Sequence, residues 1–271
     1  MSEIVQGIRQ FVSQVTGAAP NRPQVPRMLV VAGGRPGVGA TTLAVNLAAA
    51  LAQDALRTVL IDADLHHADA ASQCNLPGSL GIGDVLAGRK NIHEVLQRGP
   101  AGLQILAGAA SAETRNSLSQ RAIQRLLRQI ATLGPHADWI IVDAGSQPSE
   151  FAAWLWTAAE IVLLVTVPEA AAVMETYALI KTLLARHELR RDILLAVNQT
   201  ADDAVAADVH RRIDQSCRRF LGLPIEFAGG LPHDTLGGGL IESDSPLAAA
   251  LARLGSRLFD DRPNARSAQA A

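Results

Sequence analysis

The sequence predicts an α/β fold: a doubly wound, mostly parallel sheet with helices on both faces. Three observations carry this. Short apolar runs recur along most of the chain with helix-length segments between them, and alternation at that spacing joins parallel strands by crossovers. Several runs are apolar at every position, as strands covered on both faces must be. The first run ends in a glycine-rich turn that opens straight into a helix pattern, Gly34-Arg-Pro-Gly-Val-Gly-Ala-Thr-Thr42. With 271 residues and 48% apolar side chains, the chain can fill one large core of this kind.

The elements follow in order. Residues 3–15 form an amphipathic helix pattern, with Ile4, Ile8, Phe11 and Val15 at i, i+4, i+7 and i+11. Pro20, Pro23 and Pro26 make 19–26 a linker that can be neither helix nor central strand. Residues 1–27 are therefore an N-terminal helix and linker, 28–259 the main domain, and 260–271 a disordered tail. Within the main domain the strand candidates are Met28–Gly33, Thr58–Asp62, Leu103–Leu106, Trp139–Asp143, Ile161–Val167, Ile193–Asn198 and Ile225–Ala228. The principal helices fall at about 41–53, 117–133, 169–186, 203–221 and 246–259. A further helix carries Trp154, Leu155 and Trp156, which suit either a protein-contact face or the core.

Composition narrows the function classes. A net charge of -2 implies no general affinity for nucleic acid or an anionic membrane. Arg211, Arg212, Arg218 and Arg219 are offset by Asp202, Asp203, Asp208 and Asp214, which favours a solvated helix face. Cys74 and Cys217 form no metal motif and suit a reducing cytoplasm. No apolar run approaches the roughly 18 residues of a membrane span. The N-terminus lacks a basic stretch leading into an apolar one, so a cytoplasmic location is expected. The stripe at Leu247–Phe259, with Arg253 and Arg257, suits either a peripheral membrane helix or core packing.

The glycine-rich turn matches the phosphate-loop pattern G-x-x-x-x-G-K-[ST] at Gly34, Gly39 and Thr41, with Ala40 where the lysine belongs. A strand, a turn of this type and a helix N-terminus aim several backbone N–H groups at one anion. Gly37 and Gly39 permit the close approach, and Thr41 can offer its hydroxyl to Mg²⁺. Losing the lysine removes a charge-assisted bond of roughly 1.5–3 kcal/mol. Arg35 is the nearby cation that can compensate in part. Asp62, Asp64 and Asp143 stand at strand ends, where open α/β sheets place their ligands. Acids there hold a hydrated Mg²⁺ or orient a water, and turn or cap roles are the alternative. Asp62 and Asp64 share a face if their strand continues. His66 and His67 follow as a solvated loop, since adjacent histidines make a poor metal pair.

Taken together these residues resemble the MinD/ParA group of P-loop ATPases, and within it the FlhG-type regulators of flagellar number and placement, over about residues 28–247. The resemblance places Arg35 on the group's signature lysine, which reaches a partner's nucleotide across a dimer, and Ala40 on the ordinary loop lysine. It implies a nucleotide cradle of Gly34, Arg35, Gly37, Val38, Gly39, Ala40, Thr41 and Thr42. Mg²⁺ is associated with Thr41, Asp62 and Asp143, and Asp64 positions the catalytic water. It assigns Asn198, in Ala196-Val-Asn-Gln199, to adenine contact, and Leu231-Pro-His-Asp234 to an element near the base that includes Pro232. The run Val167–Lys181 looks like the group's segment after the following strand. Gln147 stands where the group has glycine, with Gly145 earlier. Only Gln6 matches the N-terminal element with which FlhG proteins stimulate a partner GTPase.

The resemblance implies ATP and Mg²⁺ as cofactors and an ATP-dependent homodimer. The protein partner belongs to a flagellar or secretion assembly; the stripe at 3–15 behind its proline linker suits either docking to that partner or packing back on its own domain. The location is cytoplasmic, with peripheral attachment at the inner membrane or cell pole. The altered lysines also occur in the CpaE/TadZ and BcsQ relatives of pilus and cellulose systems. A hydrolysis-deficient scaffold is therefore the alternative function, and a DNA-segregation ATPase the third.

Overall fold

The computed structural model describes residues 26–77, 80–108, 111, 118–185, 192–233, 239–241 and 245–259. The helix pattern at 3–15, most of its linker, Asp234 and the tail 260–271 lie outside them. The strands are β1 (Arg27–Gly33), β2 (Thr58–Asp62), β3 (Gln97–Arg98), β4 (Gln104–Leu106), β5 (Trp139–Asp143), β6 (Ile161–Thr166), β7 (Asp192–Thr200) and β8 (Glu226–Pro232). They form a single sheet in the order β3-β4-β2-β5-β1-β6-β7-β8. Every pairing is parallel except β3 with β4. Strands β2 to β5 lie on one side of β1 and β6 to β8 on the other, so the crevice at its carboxyl end is a topological switch point.

The helices are α1 (Ala40–Gln53), α2 (Ala70–Gln73), α3 (Ile82–Ala87), α4 (Ile92–Val95), α5 (Gln120–Thr132), α6 (Glu150–Ala158), α7 (Ala170–Leu184), α8 (Asp203–Leu221) and α9 (Pro246–Phe259). Alternate residues of β1 feed two core layers. Leu29 and Val31 pack with α1 and α9, while Met28, Val30 and Ala32 share the other layer with residues of α5, α6, α7 and α8. The starts of α5, α6 and α8 are set by Ser119, Ser149 and Asp202. Their side chains accept the Ala122, Ala152 and Val205 N–H groups.

The principal strands and helices lie where the sequence puts them, with shifts at the ends that have local causes. The continuation of β2 to Asp64 does not occur. Asp62 Oδ1 accepts the Asp64 N–H at 3.1 Å, which turns the chain out of the sheet, so the two acids do not share a strand face. β8 runs on through Gly229 and Gly230 to Pro232. It pairs only with β7, through two register shifts, and an edge position tolerates a terminal proline.

Two open readings close here. Trp154 and Trp156 are buried in the core between sheet and helices rather than displayed as a contact face. The apolar stripe of α9 is consumed by packing: Leu247, Ala250, Leu251, Leu254 and Leu258 are all buried, and Phe259 meets Trp139 edge to face at 4.6 Å. No helix among the described residues is long and apolar enough to cross a membrane. Leu254→Ala is expected to lower the unfolding free energy in urea by about 3 kcal/mol, the cost of a buried leucine. A solvent-facing stripe would give a change within about 0.5 kcal/mol instead.

Candidate functional site

The loop between β1 and α1 has the shape of an anion cradle. Gly37 and Gly39 take φ of 83° and 88°, the left-handed region that favours glycine. Gly39 is the N-cap of α1, so the N–H groups of the first turn have no acceptor within the helix and face the loop. Four hydrogen bonds hold this shape. The Gly33 N–H donates to Gly145 O at 3.0 Å, and the Gly34 N–H to Val165 O at 3.3 Å. Asn198 Nδ2 donates to Val38 O at 2.8 Å, and Gln199 Nε2 to Gly37 O at 3.3 Å. Two glycines are dictated by space: a Cβ on Gly34 would lie 2.2 Å from Thr176 Oγ1, and one on Gly39 would lie 2.3 Å from Asn198 Nδ2. Thr42 carries the next turn, its carbonyl accepting from Asn46 Nδ2 at 2.8 Å.

Beside the loop, β2 and β5 end on two buried carboxylates in register, Asp62 against Asp143. Asp62 accepts N–H groups from Asp64 and, at 3.1 Å, from Ala70. Burial and then the neighbouring Asp143 push its pKa well above the usual carboxylate range. Asp143 Oδ1 accepts the Gly145 N–H at 3.1 Å, while Oδ2 is buried without a hydrogen-bond partner among the described residues. Burial pushes Asp143 up to about 6, with the Thr41 hydroxyl and the Gly145 N–H pulling it back down. Thr41 is thus near enough to matter electrostatically without satisfying Oδ2.

Asp64 is buried too, but it is folded onto its own loop. Its Oδ1 accepts the His66 and His67 N–H groups at 2.9 and 3.0 Å, and Oδ2 stands 3.8 Å from His67 Nδ1. The two histidines are exposed, as expected of a solvated loop. Gly145, with φ of 65°, backs directly onto this carboxylate: a Cβ there would meet Asp64 Oδ2 at 2.3 Å. Gln147 is exposed. Gly145 therefore joins Gly33, Asp143 and Asp64 in one contact set, a role the sequence reading did not give it.

The two altered positions are both visible. Ala40 is the first residue of α1, buried at 8% exposure among apolar neighbours, and brings no charge. Arg35 pairs with two acids of the segment after β6, Glu169 at 3.3 Å and Glu175 at 3.4 Å. Neither partner could be read from the sequence, since both lie more than a hundred residues away. Of the remaining expected residues, Asn198 sits in β7 against the loop, and Pro232 ends β8 in register with Thr200. On α8, Arg211 pairs with Asp208, and Arg218 with Asp214 at 2.8 Å, which leaves a largely neutralised face.

The residues fit a phosphate tail and a hydrated magnesium ion. An unpartnered buried carboxylate oxygen, a hydroxyl near it and a second carboxylate in register form a suitable oxygen donor set. No three His, Cys, Asp or Glu side chains among the described residues converge to chelate a metal unaided. The rest of the shell would come from water and phosphate, the usual way Mg²⁺ is held.

The raised pKa of Asp143 sets a pH dependence. Between the unfolded carboxylate value and about 6 the native state binds the extra proton. The stability contributed by this group is therefore greatest in acid and is lost as pH rises through about 6. Asp143→Asn, in chelator-treated protein, is expected to raise the melting temperature at pH 7.5 by an amount equivalent to roughly 1–3 kcal/mol. The advantage should shrink toward pH 4.5. A variant less stable than the parent at pH 7.5 would contradict this.

Comparison with known proteins agrees with the site. Residues 26–194 match the family described as AAA domain (AAA_31). The chain is 30% identical over 208 residues to the antiactivator FleN of Pseudomonas aeruginosa, covering 77% of this chain and 74% of that one. It is 21% identical to the flagellum site-determining protein YlxH of Helicobacter pylori, over 78% of this chain and 71% of that one. The septum site-determining protein MinD of Pyrococcus horikoshii, solved with Mg-ADP, superimposes with a TM-score of 0.70 at 20% identity, over 87% of this chain and 96% of that one. A loop of this shape, a carboxylate pair beside it and these relatives lead to one conclusion: the chain belongs to the MinD/ParA group of P-loop ATPases and within it is most like the FlhG type.

Proposed function

We propose that the chain is a nucleotide-operated switch that binds ATP with Mg²⁺, dimerises, and positions or regulates the assembly of a cell-surface machine, the flagellum in the first instance. The observation that carries the reading is the buried, unpartnered Asp143 Oδ2 beside Thr41 at the mouth of a preserved phosphate loop. An uncompensated carboxylate there is costly unless a cation arrives with the ligand. The flagellar part is supported by the name of one relative, the flagellum site-determining protein YlxH.

This chain's own residues divide the work. Backbone N–H groups from Gly37 to Thr42 receive the phosphates, and Asn198 keeps the loop in shape and flanks the base. Thr41, Asp62 and Asp143 hold the metal, which when bound supplies the positive charge that Ala40 does not. On this reading Asp64 orients a water. Exposed surface beside the loop supports a homodimer face: Pro36 and Gly37 are exposed, and Met174 on α7 is 72% exposed. Arg35 stands at the rim of that surface, where a second copy would bring phosphates to compete with Glu169 and Glu175. Location in the cytoplasm, at a pole or the inner membrane, follows from the same reading.

One observation favours a second reading, a hydrolysis-deficient scaffold of a pilus or cellulose system. Ala40 is uncharged and Arg35 is engaged by two acids, so among the described residues the loop offers no free cation for charge that develops during phosphoryl transfer. Titration with ATP–Mg²⁺, followed by turnover and by light scattering, tests both readings. The switch reading expects saturable binding, an ATP-dependent dimer, and binding roughly 10- to 100-fold tighter in Ala40→Lys. No binding at millimolar ATP ends it. Binding and dimerisation without turnover, with turnover appearing in Ala40→Lys, would select the scaffold.

A further inference from the structure

Helix α5 has an inner face that explains its presence and an outer face that does not. Ala122, Ile123, Leu126, Leu127 and Ile130 are buried against the sheet. The outer face carries Arg121, Arg125 and Arg128 at i, i+4 and i+7, interleaved with Gln120, Gln124 and Gln129, and the helix contains no acid. This arrangement works against the helix. Arg121 lies in the first turn, where the macrodipole disfavours a cation, and the three like charges repel at helical spacing. Elsewhere two of the four arginines of α8 are paired, Arg211 with Asp208 and Arg218 with Asp214 at 2.8 Å, and in the turn between α3 and α4 Lys90 pairs with Glu94 at 3.4 Å and Arg89 with Asp84 at 2.9 Å. The three arginines of α5 have no carboxylate partner among the described residues.

The middle of the stripe is held rigidly. Arg125 donates to Leu86 O at the end of α3, and a Cβ on Gly88 would stand 3.2 Å from its Cζ. Gln129 Oε1 accepts the Ile92 N–H at 2.6 Å, at the start of α4. Arg121, Gln124, Arg125, Arg128 and Gln129 line a shallow hollow of about 450 Å³ with no acid in its wall. At 1.5 Å rise per residue, Arg121 and Arg128 stand roughly 10 Å apart along the axis. One helix forms the whole lining, so a small ligand could not be enclosed, and affinity must come from several contacts made at once.

We infer that the outer face of α5 is a docking surface for an acidic segment of a partner protein whose carboxylates are spaced one helical turn apart. Guanidinium forks pair carboxylates bidentately, and a fixed spacing of one turn selects a partner with the same repeat. Gln120 and Gln124 add amide groups beside the arginines that can both donate to a carboxylate and accept from a side chain of the partner. The outer face holds no aromatic residue on which bases could stack and no large apolar residue to enter a bilayer. The surface is independent of the nucleotide site, so its test needs no ATP.

The probe is a fluorescein-labelled 22-residue peptide of Glu and Ala with Glu repeating at i, i+4 and i+7, titrated by anisotropy with the full nucleotide-free chain at about 50 mM salt. Saturable binding that weakens with salt is expected. Arg121→Gln/Arg128→Gln, which leaves the Arg125 contact with Leu86 in place, should weaken it roughly five- to tenfold with the melting temperature unchanged. Replacing Glu by Gln in the peptide should do the same on the unmutated chain, which keeps the test valid should the variant fold poorly. Binding indifferent to both changes overturns the inference. So does tighter binding to a DNA duplex or to phosphatidylglycerol vesicles than to the peptide.

Discussion

Two carboxylates buried side by side at the carboxyl edge of the sheet set the terms for the site around them. Asp62 and Asp143 end adjacent parallel strands in register, so strand pairing itself forces them together. Like charges in a dry setting raise each other's pKa and invite a cation. Their surroundings are shaped by that pair. Backbone N–H groups of Asp64, Ala70 and Gly145 are turned inward to three of the four oxygens. Gly108 and Gly145 leave no room for a side chain beside Asp62 and Asp64. Asp143 Oδ2, the oxygen that receives no hydrogen bond among the described residues, is the one that gives the edge its chemical direction.

Against this anionic edge, the lost lysine has a different weight from that in an ordinary phosphate loop. Phosphates entering the cradle meet helix-terminal N–H groups, worth partial charges, and the buried acids beyond them. With alanine at position 40, the charge balance is left to whatever cation accompanies the ligand, and nucleotide and metal become strongly interdependent. Arg35 does not relieve this in the geometry observed. An arginine between two half-exposed glutamates is only weakly held, since exposed pairs are worth about 0–1 kcal/mol. It is therefore parked at the rim and available to an incoming anion at small cost.

How far the sequence discloses these features depends on whether the cause is local. The strands are legible because parallel strands covered on both faces must be continuously apolar, and β2 and β5 begin and end where the residues change character. The loop and the acids are legible because a strand, a turn and a helix in succession fix their own geometry. Helices α2, α3 and α4 are four to six residues long, too short for an apolar period to show. Whether the strand continued past Asp62 was not legible, because the Asp62 side chain bonds the backbone two residues on instead of extending the ladder. The partners of Arg35, the contact of Gln199 with Gly37 and the keystone position of Gly145 depend on which strands become neighbours, which no short pattern contains. The stripe of α9 was visible as a stripe, but whether it faced lipid or core depended on β8 and α1 being there to receive it.

That long-range dependence also bears on how the site could be regulated. Gly34 lies against α7, with no room for a Cβ beside Thr176, and Arg35 adds Glu169 and Glu175 to the same contact. Thr176 in turn is fixed from within α7 by a 2.8 Å bond to Ala172 O, and its hydroxyl stands 3.0 Å from that of Thr166 at the end of β6. The exposed flank of the same helix displays Met174. A protein surface that covers this flank therefore acts on a helix already in contact with the phosphate loop, without any relay through the core. If covering the flank changes affinity for nucleotide, nucleotide must change affinity for whatever covers it by the same factor, because the coupling is a difference of free energies and runs both ways.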